Sequence, residues 1–426
     1  MSLLVIVLFL VLAFLGMPLA FSLGVSAMAG LWLSGFDLSV LSPRLMNSVN
    51  SFPLMSIPLF MVAGELMLKG GIMDRLVDFA NAFIGRIRGG LAQVAIIAGA
   101  GLASVSGAAV ADASALSSTL VPSLKKQYGL GFSTGIVAAA ANLGPIIPPS
   151  GAMIVYAFMA GSSVSVGGLF MAGVIPGLIL FLSLMALCWL ISWWRDYPLA
   201  GEPISLANIL RQLRRSILVF LMPVVVIGGI VAGAFTPTEG AAVGVCYALL
   251  LGFFVTRQLR LSDLPDVLLT AAKTSALVGA MIAFASTVTF LFTIDLLPMR
   301  LATAMQGVTE SPFVFLCLIS LMLLVVGMFL ESNAAYIMLV PLFHPIALEY
   351  GLDPLHFGFI FVLNLVIGML TPPVGVVLFV VCGITGVKMG ELVRASWPFI
   401  AAMYAVLLLC ILFPAIVTWL PERLGY

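Results

Sequence analysis

Charge is what this chain of 426 residues has least of: Asp, Glu, Lys and Arg make up 8% of it, against roughly a quarter of a soluble domain. With 62% hydrophobic residues and a mean hydropathy of +1.24, that scarcity excludes an ordinary soluble fold and indicates an all-α, polytopic membrane protein with the lipid bilayer as its first partner. The net charge of +1 leaves no basic surface for nucleic acid or an acidic partner. Histidine occurs twice (His344 and His356), and the five cysteines (Cys188, Cys246, Cys317, Cys382, Cys410) stand singly in apolar runs. Neither set has metal-ligand spacing, and the cysteines read as small core residues. Also missing are a Ser-His-Asp set, an HExxH helix and a GxxxxGK[ST] phosphate loop, which excludes hydrolysis and direct ATP coupling, so no enzyme is expected. Met1 to Ala20 is apolar but lacks a basic n-region and reads as a retained first helix.

What the chain does have is one unusual word written twice, Asn142-Leu-Gly-Pro-Ile-Ile-Pro-Pro-Ser-Gly151 and Asn364-Leu-Val-Ile-Gly-Met-Leu-Thr-Pro-Pro-Val-Gly375. Each follows a Tyr-Gly-Leu, at Tyr128 and Tyr350, with the same 14-residue step from Tyr to Asn. A proline pair removes two backbone donors and stops a helix, leaving upstream carbonyls unpartnered. Lipid cannot satisfy them, so such a break persists only where it is buried in protein or lines a cavity. Interrupted helices in corresponding halves point to a transporter's ion and substrate sites.

With about 20 residues per crossing, the basic residues sort themselves by side. An external N-terminus leaves Arg44, Arg300 and Arg423 outside and the other 15 of the 18 Lys and Arg inside, in keeping with the positive-inside bias, and puts the C-terminus outside as well. Leu91 to Pro122, at 32 residues, is too short for two spans and is read as a re-entrant hairpin. The expected organisation is a first repeat 1–195 (hairpin 91–122, broken helix 131–162), a cytoplasmic linker 196–215 entered through the polar stretch Arg195-Asp-Tyr-Pro-Leu-Ala-Gly-Glu-Pro203, and an inverted second repeat 216–426 (hairpin 313–348, broken helix 356–386). The last span is placed at Ile400 to Leu420. Ile72 to Arg88 carries one apolar stripe and reads as a helix in the cytoplasmic interface, as do Leu206 to Ile217 and Leu264 to Lys273.

The first hairpin has a small polar tip, Ser104-Val-Ser106-Gly107, followed by Asp112. Gly107 permits the turn and Ser106 is expected to cap the next helix, whose free amides would suit a carboxylate. The second tip offers Glu331, Ser332 and Asn333. Tips meeting from opposite sides would bind substrate through Ser106, Gly107, Asp112, Ser332 and Asn333; the competing reading is close helix packing by small residues. The breaks offer carbonyls from Gly144, Ile147 and Pro149 and from Gly368, Thr371 and Val374. With the hydroxyls of Ser104, Ser106 and Thr371 these would hold Na⁺, unless Pro148, Pro149, Pro372 and Pro373 merely shape a bend. Asp112 and Glu331 are the acids deepest in the spans and are functional by default, in coupling or as struts. Glu65, Glu239 and Asp295 lie near span ends and read as structural.

Six words, in order along the chain, resemble the large membrane subunit of tripartite ATP-independent periplasmic (TRAP) transporters. They are Ile57-Pro-Leu-Phe60 with Gly64; Ser106-Gly107 with Ala111-Asp112; Ile147-Pro-Pro-Ser150; Phe235-Thr-Pro-Thr-Glu239; Gly351-Leu-Asp-Pro354 with His356-Phe-Gly358; and Thr371-Pro-Pro-Val-Gly375. The resemblance implies a Na⁺-driven importer of an organic acid (a dicarboxylate, sugar acid or sialic acid) in a bacterial inner membrane. It implies two partners, a periplasmic substrate-binding protein and a small four-helix membrane subunit, expected here as a separate chain. It also implies an elevator-type fold, in which hairpins and broken helices carry the site across a scaffold of the other spans. One departure is Ala108, where the pattern leads us to expect a serine. A self-sufficient Na⁺- or H⁺-coupled dicarboxylate or anion carrier is the alternative.

Overall fold

Proline pairs decide the architecture. In the computed structural model, which describes residues 2–84, 87–200 and 205–426, helix Leu130–Ala141 stops and restarts as Gly151–Ala160, and Pro354–Gly368 stops and restarts as Val376–Thr385. Arg86 and the linker residues Gly201, Glu202 and Pro203 lie outside the described residues. The Pro148–Pro149 and Pro372–Pro373 peptide bonds are both cis. Each broken helix is preceded by a helical hairpin, Gly90–Ser106 with Ala109–Tyr128 and Pro312–Phe329 with Ser332–Glu349. The same order of elements thus recurs in both halves.

Seven helices among the described residues are long and apolar enough to cross a membrane by length and composition: Phe52–Lys69, Val166–Trp194, Leu206–Val231, Pro237–Thr256, Leu261–Ile294, Pro312–Phe329 and Met389–Leu412. Three sequence expectations are corrected here. Leu206–Val231 and Leu264–Ile294 are continuous, so no separate interfacial helix precedes either span; Pro265 stands in the first turn, where its missing N–H costs nothing. The last span is Met389–Leu412, and a turn at Phe413-Pro414 leads into the short helix Ala415–Arg423, so Ile400 to Leu420 is not one crossing. Among the described residues, all regular structure is helical except one short antiparallel pair, Ile87–Arg88 with Leu199–Ala200, beside which Arg88 pairs with Asp196 at 2.5 Å.

Residues that charge counting assigns to one face do meet. Arg75 on the Ile72–Ile84 helix donates to the Arg215 carbonyl (2.7 Å) and the Val255 carbonyl (2.8 Å), and Asp78 lies 3.7 Å from Arg215. On the residues assigned to the other face, Ser2 donates to Asp295 through its N–H (2.9 Å) and its hydroxyl (2.8 Å).

Packing divides the helices. Leu19–Leu33, Ser56–Lys69, Pro237–Leu250 and Leu264–Ile294 lie against one another. The hairpins lie on the broken helices, with an exchange between halves. Ser332–Glu349 of the second hairpin packs on Gly151–Ala160 of the first broken helix, and Val376–Thr385 packs on Ala109–Tyr128 of the first hairpin. His344 stands in the first of these contacts, bonded through Nδ1 to the Tyr156 hydroxyl (2.9 Å) and through Nε2 to that of Ser163 (2.8 Å). Asn142 joins the breaks themselves, donating to the Val366 carbonyl at 2.9 Å. Val166–Trp194 and Met389–Leu412 also lie against the broken helices, so by packing they belong with the hairpins.

Candidate functional site

Both tips and both breaks border one cavity of about 340 Å³. Its wall includes Gly107 to Ala111 from the first tip, Glu331, Ser332 and Asn333 from the second, Pro145, Gly151 and Ala152 from the first break and Met369 from the second. Ser56–Lys69 closes it with Ile57, Met61 and Glu65, and Leu264–Ile294 with Thr274, Leu277, Val278 and Met281. Of the sequence-derived substrate residues, Gly107, Ser332 and Asn333 line this cavity, whereas Ser106 and Asp112 stand behind the first tip. Glu331 and Glu65 also line it; Glu65 escaped notice because its position near a span end suggested solvation.

The two tips use their helix starts differently. At the first, Gly107 is left-handed (φ 63°) and ends the incoming helix; the next helix starts with Ala108 as N-cap and no side-chain cap. Ser106 is therefore not the cap that the sequence suggests. Its hydroxyl accepts from the Ala108 N–H at 3.3 Å and donates to Asp112 Oδ1, leaving the amides of the following first turn, which faces the cavity, without a side-chain acceptor. At the second tip Glu331 is itself the N-cap. Its carboxylate accepts from the N–H groups of Asn333 (3.0 Å) and Ala334 (3.3 Å), the Asn333 amide (2.9 Å) and the Ser332 hydroxyl (3.4 Å). One helix start is open to an anion and the other is filled by its own. Glu331→Ala should remove a cap worth about 0.5–2 kcal/mol and lower the thermal midpoint of the purified protein; an unchanged midpoint would mean the tip holds without it.

Behind the first tip, Asp112 is fully buried and its Oδ2 has no hydrogen-bond partner. That oxygen lies over Gly144, where a β-carbon would have to displace it, so the carboxylate faces the first break. A buried carboxylate oxygen without a donor is costly unless a cation or water completes it. The same break approaches Gly107, where an added β-carbon would meet the Pro149 carbonyl and the Gly151 nitrogen, each at 2.9 Å. Ser150 repairs the break, donating to the Pro145 carbonyl (2.6 Å) and accepting from the Met153 N–H (3.3 Å). Gly144, Pro149, Ser106 and Asp112 are thus brought together. Pro148 is buried beside them, while the Ile147 side chain turns toward Gly177, and the Ser104 hydroxyl donates back to the Gly101 carbonyl at 2.7 Å.

The second break is more open. Gly368 packs its backbone on Gly327 of the second hairpin, and the Gly375 N–H donates to the Met328 carbonyl at 2.9 Å. Thr371 donates to the Ile367 carbonyl at 2.8 Å and lies 3.4 Å from the Tyr404 hydroxyl, which can donate to it and leaves one lone pair available to a cation. Pro372 and Val374 are half-buried and Pro373 is exposed.

A family model described as "Tripartite ATP-independent periplasmic transporter, DctM component" matches residues 6–416. The C4-dicarboxylate TRAP transporter large permease protein of Pseudomonas aeruginosa is 39% identical over 406 residues, covering 95% of this chain and 94% of that protein. The isethionate TRAP transporter permease protein of Oleidesulfovibrio alaskensis is 38% identical over 403 residues, which are 94% of this chain but 63% of that longer protein. Among solved structures, the YdaH transporter of Alcanivorax borkumensis, described as having an unusual topology, aligns with a TM-score of 0.67 over 90% of both chains at 15% identity. A likeness at that identity concerns the fold alone.

Proposed function

Because the chain belongs to the DctM family, the large membrane component of tripartite ATP-independent periplasmic transporters, we propose that it imports an organic acid across a bacterial inner membrane together with Na⁺. The observation that carries this reading is the convergence of two hairpin tips and two helix breaks on one cavity. The uncapped helix start at Ala109 receives the carboxylate through backbone amides, and Ser332 and Asn333 supply neutral hydrogen-bonding groups opposite it.

The unpartnered Asp112 Oδ2, with the backbone of Gly144 and Pro149 and the Ser106 hydroxyl, fits a small hard cation; Gly368, Thr371 and Val374 offer a second set of oxygens without a carboxylate. Bound Na⁺ would supply the positive charge that pairs with Asp112 and favours an anion nearby. Asp112 braces the first hairpin internally through the Ser106 hydroxyl, and Glu331 caps the second tip. Moving the bundle of hairpins and broken helices against the helices around Ser56–Lys69 and Leu264–Ile294 would carry the cavity across the bilayer, an elevator motion, with Gly64 at the sliding contact, where an added β-carbon would lie 3.3 Å from the Ser106 Cα. The partners proposed are a periplasmic binding protein and a small four-helix subunit on another chain. The much longer isethionate relative, of which this chain covers 63%, has room for that subunit within one polypeptide.

The test is uptake of radiolabelled organic acids into proteoliposomes, with and without an inward Na⁺ gradient, the small subunit and the binding protein. Uptake that needs all three is the expected result. Uptake by this chain alone would instead establish a self-sufficient carrier.

A further inference from the structure

The cavity between the tips is lined by two carboxylates and, among the described residues, by no Lys, Arg or His. An anion held there must rely on backbone amides and neutral side chains. Glu331 has four donors of its own and fills the helix start of the second tip, so only the first tip offers an open anion seat. Glu65 is placed differently. It is half-buried on Ser56–Lys69 and lines the cavity directly, one residue past Gly64, which touches the first tip at Ser106. Lys69, one turn further along the helix, is not part of the cavity wall.

Resting on the organic-acid reading above, we propose that Glu65 is a charge filter: the site accepts a singly charged acid that presents hydroxyl or ammonium donors to Glu65, and it discriminates against dicarboxylates. A second carboxylate would have to lie in a small, mostly apolar cavity with no basic partner and with Glu65 in its wall. Like charges brought together in such a medium are strongly disfavoured, and specificity commonly depends on such a repulsive element. A hydroxyl turns the same carboxylate into an acceptor, which a charged oxygen performs better than a neutral one.

The test uses the full chain purified with its small subunit, without the binding protein, whose own selectivity would mask the effect. Binding of gluconate and of succinate is measured at constant Na⁺ concentration by calorimetry and by the shift of the thermal midpoint. Wild type should prefer gluconate by at least roughly ten-fold, and Glu65→Gln should reduce that preference by roughly ten-fold or more, mainly by tightening succinate. Glu65→Asp, which keeps the charge, should retain the preference. Succinate binding wild type as well as gluconate, or a ratio unchanged in Glu65→Gln, would overturn the filter while leaving the organic-acid reading in place. If wild type bound neither these acids nor any other organic acid in the uptake panel, the organic-acid reading would fall first and the filter with it. The wild-type ratio decides even if Glu65→Gln folds poorly.

Discussion

Asp112→Asn is expected to cut Na⁺-driven uptake by roughly 10–100-fold, the effect of losing one charged hydrogen-bond or ion contact worth about 1.5–3 kcal/mol, while the protein stays folded. Asparagine has the shape of aspartate and retains an oxygen for the Ser106 hydroxyl, so the hairpin keeps its internal strut. What disappears is the charge on a fully buried group whose second oxygen has no donor and faces Gly144. A strut would tolerate that change, whereas a cation ligand would not. The discriminating measurement is the Na⁺ concentration for half-maximal uptake, read beside the thermal midpoint. A raised Na⁺ requirement at an unchanged midpoint is the predicted pair; an unchanged requirement would return Asp112 to a purely structural role. Gly144→Ala approaches the same point from the other side. The new methyl would displace the carboxylate from the break and should weaken Na⁺ activation in the same direction, although residue 112 is untouched.

Much of this arrangement was readable before any coordinates. Pro148-Pro149 and Pro372-Pro373 leave a helix no way to continue, so both breaks lie where the proline pairs put them. The short apolar run Leu91 to Pro122 points to a first hairpin, but the second helix of that hairpin, Ala109–Tyr128, continues past Pro122 through Lys125 and Lys126, so the hairpin is longer than the run suggests. Pairings between distant residues were not readable. Nothing local in Asp112 says that it will lie over Gly144, and nothing in Asn142 says that its amide will reach Val366 in the other half. The misreading of Ser106 has a local cause. A left-handed Gly107 ends one helix and moves the start of the next to Ala108, which frees the serine hydroxyl for Asp112. At Glu331 the signal was present, an acid directly before Ser332-Asn333 in a turn, but depth in the apolar run drew attention to coupling and away from capping. Leu206–Val231 shows the converse: a polar start and an apolar end suggest two helices, yet no breaker separates them and the backbone continues.

Gly107→Val is expected to abolish transport and to destabilise the protein by two separable contributions. The first is conformational, since a left-handed residue with a β-carbon costs about 1–2 kcal/mol. The second is steric: that β-carbon would lie 2.9 Å from both the Pro149 carbonyl oxygen and the Gly151 nitrogen, backbone atoms of the break that cannot rotate away. Overpacking of this kind adds about 1–3 kcal/mol, and relief requires the tip to withdraw from the break, opening the gap between the anion seat and the Asp112 site. Gly386 separates the two contributions. It closes the helix Val376–Thr385 in nearly the same conformation (φ 71° against 63°), but a β-carbon there meets nothing within 4 Å. Gly386→Val should therefore show the conformational loss alone, with a modestly lower thermal midpoint and uptake largely retained. Gly107→Val should lose more stability and all uptake. Equal effects at the two positions would mean that the close approach of tip to break contributes nothing, and the first hairpin and the first break would then have to be treated as independent elements.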